Sequence, residues 1–276
     1  MNRYFFNEKE HLHLLDGKAL TGTTTVLSVL SKPLTWWASG LAVSKLGWIN
    51  EYIKNEEGKR VKIELEQRLT HLKPIRSEQS KLNDKDYLSL LDDAYKAHSV
   101  RLSETAEAGT DLHAELERFV RNTMLLQKSG TIDKTEYDAR IQPFIEWSKI
   151  NIKKFIGSEV YTFSNTLWLG GIIDCIAELK DGTIAIIDFK SSKEAYISHF
   201  IQCALYDLQL TESGAYDDKG NKLFNLPKEV SKYIVFPFGA KKLLANEQTD
   251  LLQLKEAGKA CVQLYKVINA FNNYRE

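Results

Sequence analysis

The hydrophobic pattern of the second half of the chain predicts strands followed by helices. Three consecutive strands are predicted, at EVYTF (159–163), LWLGGIIDCIAEL (167–179) and TIAIIDF (183–189). A helix is expected over roughly residues 197–210, and a strand at residues 231–238 follows it. Apolar side chains then recur at helical spacing from about residue 249 to residue 271, which predicts a last helix.

The pattern near the N-terminus predicts a hairpin and then helices. Asp16-Gly17 lies between two short apolar segments, as expected for a hairpin turn. Helices are expected after it, with a break near Lys32-Pro33. The charged segment 55–83 is expected to form a solvated helix and a loop.

A helical pattern resumes at Asp84, with an interruption expected at Gly109-Thr110 and a further helix from about Glu136 to Phe155. The order of elements is therefore helices, a strand meander, a helix, a strand and a helix. This order predicts an α/β fold, in which a sheet core follows a helical N-terminal region. We expect an N-terminal hairpin and helical elaboration over residues 1–104 and the core over residues 105–276.

The composition is that of an ordinary soluble globular protein, with 43% hydrophobic and 27% charged residues. Lys+Arg and Asp+Glu each total 37, so net charge neither favours nor excludes a nucleic-acid partner. The cysteines at positions 175, 203 and 261 are far apart in apolar contexts, which predicts reduced thiols rather than disulfides. No apolar segment matches a signal peptide or a membrane span, so we expect a cytoplasmic protein without membrane contact.

The predicted strand at residues 183–189 ends with a carboxylate and an ammonium group on one face. Side chains alternate along a strand, so Asp188 and Lys190 project to the same side. A salt bridge at a strand end is the simpler interpretation of this pair, since surface ion pairs are common. The alternative is that both groups contact a charged ligand.

A second carboxylate belongs to the hairpin that precedes this strand. A three-residue loop at 180–182, with Gly182 left-handed, would place Asp174 directly opposite Asp188. A two-residue loop would place the two acids on opposite faces. Ionised carboxylates that close repel unless a cation lies between them, and hard oxygen ligands suit Mg²⁺ or Mn²⁺. Lys190 could then orient or activate a water that attacks phosphorus.

Four short motifs follow one another along the chain, and these are GTDLH (109–113), GGIID (170–174), IIDFKSS (186–192) and QCALY (202–206). In this order they resemble the signature of the PD-(D/E)xK nuclease superfamily, specifically its RecB-like exonuclease branch. The resemblance covers roughly residues 105–240, and GTTTVLSVLSKPLTWWA near the N-terminus is similar to the opening of phage-encoded members. It implies a restriction-endonuclease-like core, a central mixed sheet flanked by helices.

The resemblance also implies a role for each motif residue. Metal ions would be held by His113, Asp174, Asp188 and the main-chain carbonyl of Phe189. Lys190 would be the catalytic lysine, with Gln202 and Tyr206 beside it and near the scissile phosphate. Gln202 and Tyr206 are one helical turn apart, so packing of this helix on the sheet with polar groups at its edge is the simpler alternative.

Two further carboxylates lie close to these motifs in the sequence. Glu117 follows His113 by one helical turn and could bind a metal through water or hold the imidazole. Glu159 precedes the first strand of the meander, where a carboxylate is also common at a strand edge.

The implied activity is that of a Mg²⁺- or Mn²⁺-dependent deoxyribonuclease, an exonuclease acting in DNA recombination, repair or phage DNA processing. One alternative is a structure-selective endonuclease on the same fold, and another is a catalytically inactive DNA-binding or scaffold module. Some relatives carry a four-cysteine iron–sulfur cluster, which the three scattered cysteines cannot form. GTTTVL is not a P-loop, so ATP is not expected either.

The expected partner is DNA, contacted mainly through its phosphates, and a single-strand annealing or other recombination protein is a second candidate. Six lysines against one glutamate lie between Lys219 and Lys242, and a second cluster comprises Lys149, Lys153 and Lys154. Such clusters position a DNA strand without reading its sequence. The tryptophans at positions 36, 37 and 48 are expected to pack rather than to stack on nucleobases.

Overall fold

The structure, a computed structural model, describes residues 3–31, 34–57, 59–130 and 136–273. Lys32 and Pro33, where a helix break is expected, lie outside the described residues. The α-helices are α1 (Thr23–Val26), α2 (Thr35–Lys45), α3 (Leu65–Gln79), α4 (Asp84–Ser129), α5 (Gln142–Asn151), α6 (Ile197–Ser213) and α7 (Leu251–Asn273). Short 3₁₀ helices lie at Leu27–Leu30 and Ala139–Ile141.

The strands fall into an N-terminal group, a small hairpin and a longer C-terminal series. The N-terminal strands are β1 (Tyr4–Asn7), β2 (Leu12–Leu15), β3 (Lys18–Ala19) and β4 (Thr21–Gly22), and the hairpin strands are β5 (Tyr52–Lys54) and β6 (Arg60–Lys62). The C-terminal strands are β7 (Ile152–Ser164), β8 (Leu169–Leu179), β9 (Ile184–Lys190), β10 (Ala215–Tyr216), β11 (Lys222–Phe224), β12 (Val230–Pro237) and β13 (Asn246–Gln248).

The chain divides into two compact units. The sheet unit contains Met1–Ser31 and Ala108–Glu276, and the helical unit contains Lys32–Glu107. One boundary, between residues 107 and 108, lies close to the expected one after residue 104. Residues 1–31, expected to belong to the N-terminal elaboration, are instead part of the sheet unit. They belong there because β4 pairs with β8 and because Tyr4 and Leu15 pack with Phe163.

The sheet unit has an α/β fold built on one mixed sheet, as predicted. Its eight strands follow the order β11-β10-β7-β8-β9-β12-β13, with β4 added beside β8. The successive strands β7, β8 and β9 are antiparallel, whereas β9 and β12 are parallel. A parallel pair needs a long connection, and α6 lies within the one that joins β9 to β12.

Helices cover both faces of this sheet and form a core on each face, in addition to the smaller cluster of Tyr4, Leu15, Leu20 and Phe163. One core joins Ile176 and Ile186 of the strands to side chains of α6 and α7. The other joins Ala177 and Ile187 to side chains of α4 and α5. Strand β9 is buried on both faces from Ile184 to Phe189, as its continuous apolar sequence predicts.

The helical unit has few buried hydrophobic side chains. Among its described residues, these are Ala94 and Ala97 of α4. Helices α2 and α3 meet where Gln79 Nε2 donates to the Leu46 carbonyl at 3.3 Å. The expectation that Trp36 packs is wrong, because 91% of its surface is exposed.

Three expectations about local structure are wrong. Helix α4 continues through Gly109-Thr110, because one interior glycine costs only about 0.5–1 kcal/mol and the next turns bury Leu112 and Leu116. Residues 152–155 begin β7 instead of ending a helix, and Ile152 and Phe155 are buried there. The segment expected to be a helix and a loop over residues 55–83 contains strand β6 as well as α3.

Other expectations are confirmed. The hairpin at Asp16-Gly17 is present, since Leu15 pairs with Lys18 across it. The three cysteines are free and buried. In the part of the chain that the structure describes, no helix combines the length and the hydrophobicity needed to cross a bilayer.

Candidate active site

The hairpin of β8 and β9 has the three-residue loop that brings two acids together. Gly182 has a φ of +83° and its amide donates to the Leu179 carbonyl at 2.9 Å. The ladder runs from the Glu178–Ile184 pair to the Cys175–Ile187 pair. One further step in this register places Asp174 opposite Asp188, so the three-residue loop is confirmed and the two-residue alternative is excluded.

A third acid lies on the other side of Asp174. Ser158 pairs with Cys175 and Val160 pairs with Ile173, which leaves Glu159 beside Asp174. Glu159 has a φ of +48°, an uncommon conformation for a residue with a side chain. The meander β7-β8-β9 therefore contributes one carboxylate from each strand at the same level.

Helix α4 adds an imidazole to this row of acids. One ligand atom from each of His113, Glu159 and Asp174 lies within 4.8 Å of the others. His113 Nδ1 is 3.8 Å from Asp174 Oδ1, and all three side chains are partly accessible. A nitrogen and carboxylate oxygens at such spacing are the donor set of a divalent cation. Glu117 pairs with Arg121 at 2.6 Å instead of holding the imidazole.

The other oxygen of Asp174 is held by the backbone of the neighbouring strand. The amide of Phe189 donates to Asp174 Oδ2 at 2.7 Å. The Phe189 ring is buried and lies 6.3 Å from the His113 ring, edge to face. Asp174 therefore keeps Oδ1 toward His113 while Oδ2 is fixed.

Asp188 is buried, and one of its two carboxylate oxygens has a hydrogen-bond partner. Its Oδ1 accepts a hydrogen bond from Lys190 Nζ at 2.7 Å, whereas Oδ2 has no partner among the described residues. Burial raises the pKa of Asp188, and the Lys190 ammonium opposes that rise. Burial also raises the pKa of Glu159 to about 8, and the nearby Asp174 adds to the effect. A cation bound beside these two carboxylates would favour the ionised form of each.

Lys190 lies at the end of β9, where its amine stays within reach of a ligand. The side chain keeps 22% of its surface exposed although it is paired with Asp188. Burial acts to lower the pKa of Lys190, but the carboxylates of Asp188 and Asp174 outweigh burial and raise it. The amine is therefore protonated and positively charged at neutral pH.

Helix α6 places Gln202 and Tyr206 next to Asp188. Gln202 Nε2 donates to the Tyr206 hydroxyl at 2.7 Å, and both side chains are buried. Burial raises the pKa of Tyr206 and the Asp188 carboxylate adds to this, so the phenol stays protonated. Tyr206 fits here because Gly171 has no side chain, since a Cβ on Gly171 would lie 2.5 Å from Tyr206 Cε1.

Part of the expected positive surface follows the strand that pairs with the end of β9, and part lies at the other end of the meander. Lys241 and Lys242 follow β12, whose last residue Pro237 pairs with Lys190, and both are exposed. The cluster that includes Lys149 and Lys153 lies at the other end of the meander. There, Lys153 binds Glu178 at 2.9 Å and the Lys149 carbonyl accepts from Lys180 at 2.7 Å. Glu178 is four residues from Asp174, roughly 13 Å along the strand.

The structure thus groups His113 with Asp174 and sets Asp188, Lys190 and the Gln202–Tyr206 pair beside them. Glu159 is the member that the sequence motifs do not indicate. In the sequence, Glu159 is a single acid near the start of a predicted strand. Only the register of β7 against β8 shows that it lies opposite Asp174. No protein-family model matches the chain, and no curated protein matches its sequence.

Proposed function

We propose that the chain is a divalent-metal-dependent deoxyribonuclease that hydrolyses phosphodiester bonds. The proposed fold is the restriction-endonuclease-like core of the PD-(D/E)xK superfamily, and the proposed branch is the RecB-like exonucleases. One observation carries the proposal. Three adjacent strands carry one acid each at the same level. Two of these acids, Glu159 and Asp174, group with the His113 imidazole, and the third, Asp188, is paired with the Lys190 amine at the end of the last strand.

The donor groups fit a Mg²⁺ or Mn²⁺ ion. Asp188 Oδ2 is a buried carboxylate oxygen with no partner, and Glu159 and Asp174 offer further oxygens beside His113. These residues, with the carbonyl of Phe189, are the proposed ligands. When bound, the ion would neutralise phosphate charge and promote ionisation of a water.

The residues of the chain would divide the remaining tasks. The Lys190 ammonium would exchange Asp188 for a phosphate oxygen or the attacking water, placing positive charge where negative charge develops. The fixed Asp174 carboxylate would hold its ligand geometry without reorganisation. Gln202 and Tyr206, which are hydrogen-bonded to each other, would orient groups near Lys190. The Tyr206 phenol is protonated and can donate a hydrogen bond.

The proposed substrate is DNA bound through its phosphates, with attack starting from an end. Lys241 and Lys242 would contact the backbone beside the site. Work in recombination, repair or phage DNA processing, with a single-strand annealing or other recombination protein as partner, forms part of the same proposal. The rival functions, a structure-selective endonuclease and an inactive scaffold, differ in the products they leave.

One experiment separates these functions. The purified chain is incubated with Mg²⁺ and equimolar linear and covalently closed circular DNA of the same sequence. The proposal predicts that nucleotides are released from the linear DNA while the circle stays intact. Cleavage of the circle would identify the endonuclease, and intact DNA of both forms over a range of Mg²⁺ and Mn²⁺ concentrations would contradict the proposed activity.

A further inference from the structure

A small polar pocket borders Tyr206 in the sheet unit. Its volume is about 190 Å³, room for about six water molecules at roughly 30 Å³ each. His13, Thr24, Thr25, Gly171 and Ile172 are among its lining residues. Tyr206 lines this pocket. It also belongs to the candidate active site, where it accepts a hydrogen bond from Gln202.

The pocket opens onto a stretch of β8 that lacks a strand partner. Strand β7 pairs along one whole edge of β8. On the other edge, β4 pairs at Leu169 and Gly170, and β9 pairs only from Cys175 onward. Within the described residues, the main chain of residues 171–173 therefore has no strand neighbour on this edge. Of these residues, Gly171 and Ile172 line the pocket, whereas Ile173 is fully buried. A ligand in the pocket could pair with main-chain groups of Gly171 and Ile172 that carry no ladder hydrogen bond.

The side-chain hydroxyls of Thr24 and Thr25, which line the pocket, are also available as hydrogen-bond donors. Thr23 is fixed in the fold, since its hydroxyl donates to the Gly170 carbonyl at 3.0 Å and accepts from Gln209 Nε2 at 2.7 Å. Thr24 and Thr25 are exposed, and within the described part of the chain their hydroxyls have no hydrogen-bond partner. Both hydroxyls can donate to a phosphate oxygen.

The pocket is neutral rather than cationic. His13 Nδ1 is hydrogen-bonded to the Tyr4 hydroxyl at 2.7 Å, and burial lowers the pKa of His13 to about 4. The imidazole is therefore uncharged at neutral pH. Ile172 adds an apolar surface beside the donors. Neutral donors next to an apolar patch suit the phosphate and the deoxyribose of one nucleotide.

We propose that this pocket holds the sugar–phosphate group of the nucleotide next to the scissile phosphate, an inference that rests on the proposed function. Ile172 is two residues from Asp174, roughly 7 Å along the strand, so the pocket lies one nucleotide from the acids. The volume is well below the 300–1,000 Å³ of typical ligand sites, which leaves no room for the base. The pocket would thus grip the strand without reading its sequence.

The test measures binding and uses the full chain without metal, so that nothing is cleaved. Thymidine 5′-monophosphate is titrated while the ring signals of His11 and His13 are followed by NMR. The double variant Thr24→Val/Thr25→Val keeps the side-chain shape and removes both donors. Ser28→Ala, which removes a hydroxyl outside the pocket, is the matched control.

We expect the nucleotide to shift the histidine signals, with affinity about tenfold weaker in the double variant and unchanged in Ser28→Ala. Equal affinity in all three proteins, or equal affinity for inorganic phosphate and the nucleotide, would overturn the inference. In cleavage assays the double variant should have a higher KM. The dependence of KM on salt concentration should stay the same, because contacts from neutral hydroxyls release no counterions.

The outcomes separate this inference from the proposed function. An inactive chain that still binds the nucleotide through Thr24 and Thr25 would contradict the nuclease proposal and support the sugar–phosphate pocket. An active nuclease whose nucleotide affinity and KM are insensitive to the double substitution would contradict the pocket alone.

Discussion

The main-chain amide of Phe189 donates a hydrogen bond to Asp174 Oδ2 at 2.7 Å. The last ladder pair of β8 and β9 is Cys175–Ile187, so Asp174 is one residue and Phe189 two residues beyond it. The bond ties the carboxylate of one strand to the backbone that carries Asp188 on the next. Asp174 is therefore oriented before any ligand arrives, with its other oxygen directed toward His113. Such fixed geometry is what a site needs to stabilise developing charge.

Replacement of Lys190 by glutamine should remove catalysis while the site still binds cations. The amide can still donate to Asp188, but the positive charge is gone. We expect kcat to fall by about 10²- to 10³-fold, measured with saturating DNA, while calorimetry finds Mn²⁺ binding retained. Lys259→Gln, on the surface of α7, is the control. A kcat equal to that of the unmodified chain would show that the amine has no catalytic role.

Replacement of Glu159 by glutamine should weaken cation binding, because an amide cannot ionise to offer a cation the anionic oxygen that Glu159 can offer. We expect an affinity for Mn²⁺ at least about tenfold lower, measured by calorimetry in the absence of DNA. Glu178→Gln, which alters an acid at the far end of β8, should leave the affinity unchanged. Equal losses in the two variants would remove Glu159 from the ligand set.

Two motif glycines should respond differently to alanine. A Cβ on Gly171 would lie 2.5 Å from Tyr206 Cε1 and 2.8 Å from Thr23 Oγ1, so Gly171→Ala should destabilise the sheet unit by about 1–3 kcal/mol. A Cβ on Gly109 would meet Ser191 at an ordinary 3.5 Å. Gly109→Ala should stabilise α4 by about 0.5–1 kcal/mol. Urea unfolding measures both changes, and a stable Gly171→Ala variant with full activity would contradict this account of Tyr206 packing.

The neutral, buried His13 should make stability fall as the pH is lowered. Burial lowers its pKa to about 4 when folded, against about 6.5 when unfolded. Between these values the unfolded chain binds more protons, so the free energy of unfolding falls from pH 6.5 to pH 4, by at most about 3 kcal/mol. His13→Gln removes this contribution.

The check compares urea midpoints of the unmodified chain and His13→Gln from pH 4 to pH 7. Other titrating groups are common to both proteins and cancel in the difference. We expect the stability gap between the two proteins to narrow as the pH falls. Parallel profiles over this range would mean that His13 is not held neutral by the fold.

The lysines beside the site should carry the salt dependence of DNA binding. Replacement of Lys241 and Lys242 by alanine should weaken binding and reduce the slope of log affinity against log salt by about 0.7–0.9 for each lost phosphate contact. Replacement of Lys149 and Lys153, at the other end of the meander, should change the slope little. Fluorescence anisotropy without metal measures both slopes, and the reverse ranking would contradict the proposed DNA path.

Much of the site follows from local sequence signals. Asp181-Gly182 sets a three-residue loop, and the loop sets the register that brings Asp174 to Asp188. Side-chain alternation then places Lys190 on the face of Asp188. These steps are predictable because a hairpin depends on residues close together in the chain.

Features that depend on distant contacts could not be predicted. Glu159 reaches Asp174 only after bulges in β7 shift its register, and its own φ is left-handed. The expected break at Gly109-Thr110 fails because packing of α4 outweighs the helix propensity of one glycine. The pairing of β4 with β8 links segments almost 150 residues apart, and no local pattern indicates it.

The central claim is that acids of neighbouring strands and Lys190 hydrolyse DNA with a divalent cation. The most direct measurement is the rate of nucleotide release from end-labelled linear DNA in Mg²⁺, for the unmodified chain and for Asp188→Asn. The account predicts release by the unmodified chain, dependence on Mg²⁺, and a loss of at least about 10³-fold in the folded variant. Equal rates in the two proteins, or release that persists in excess chelator, would contradict it.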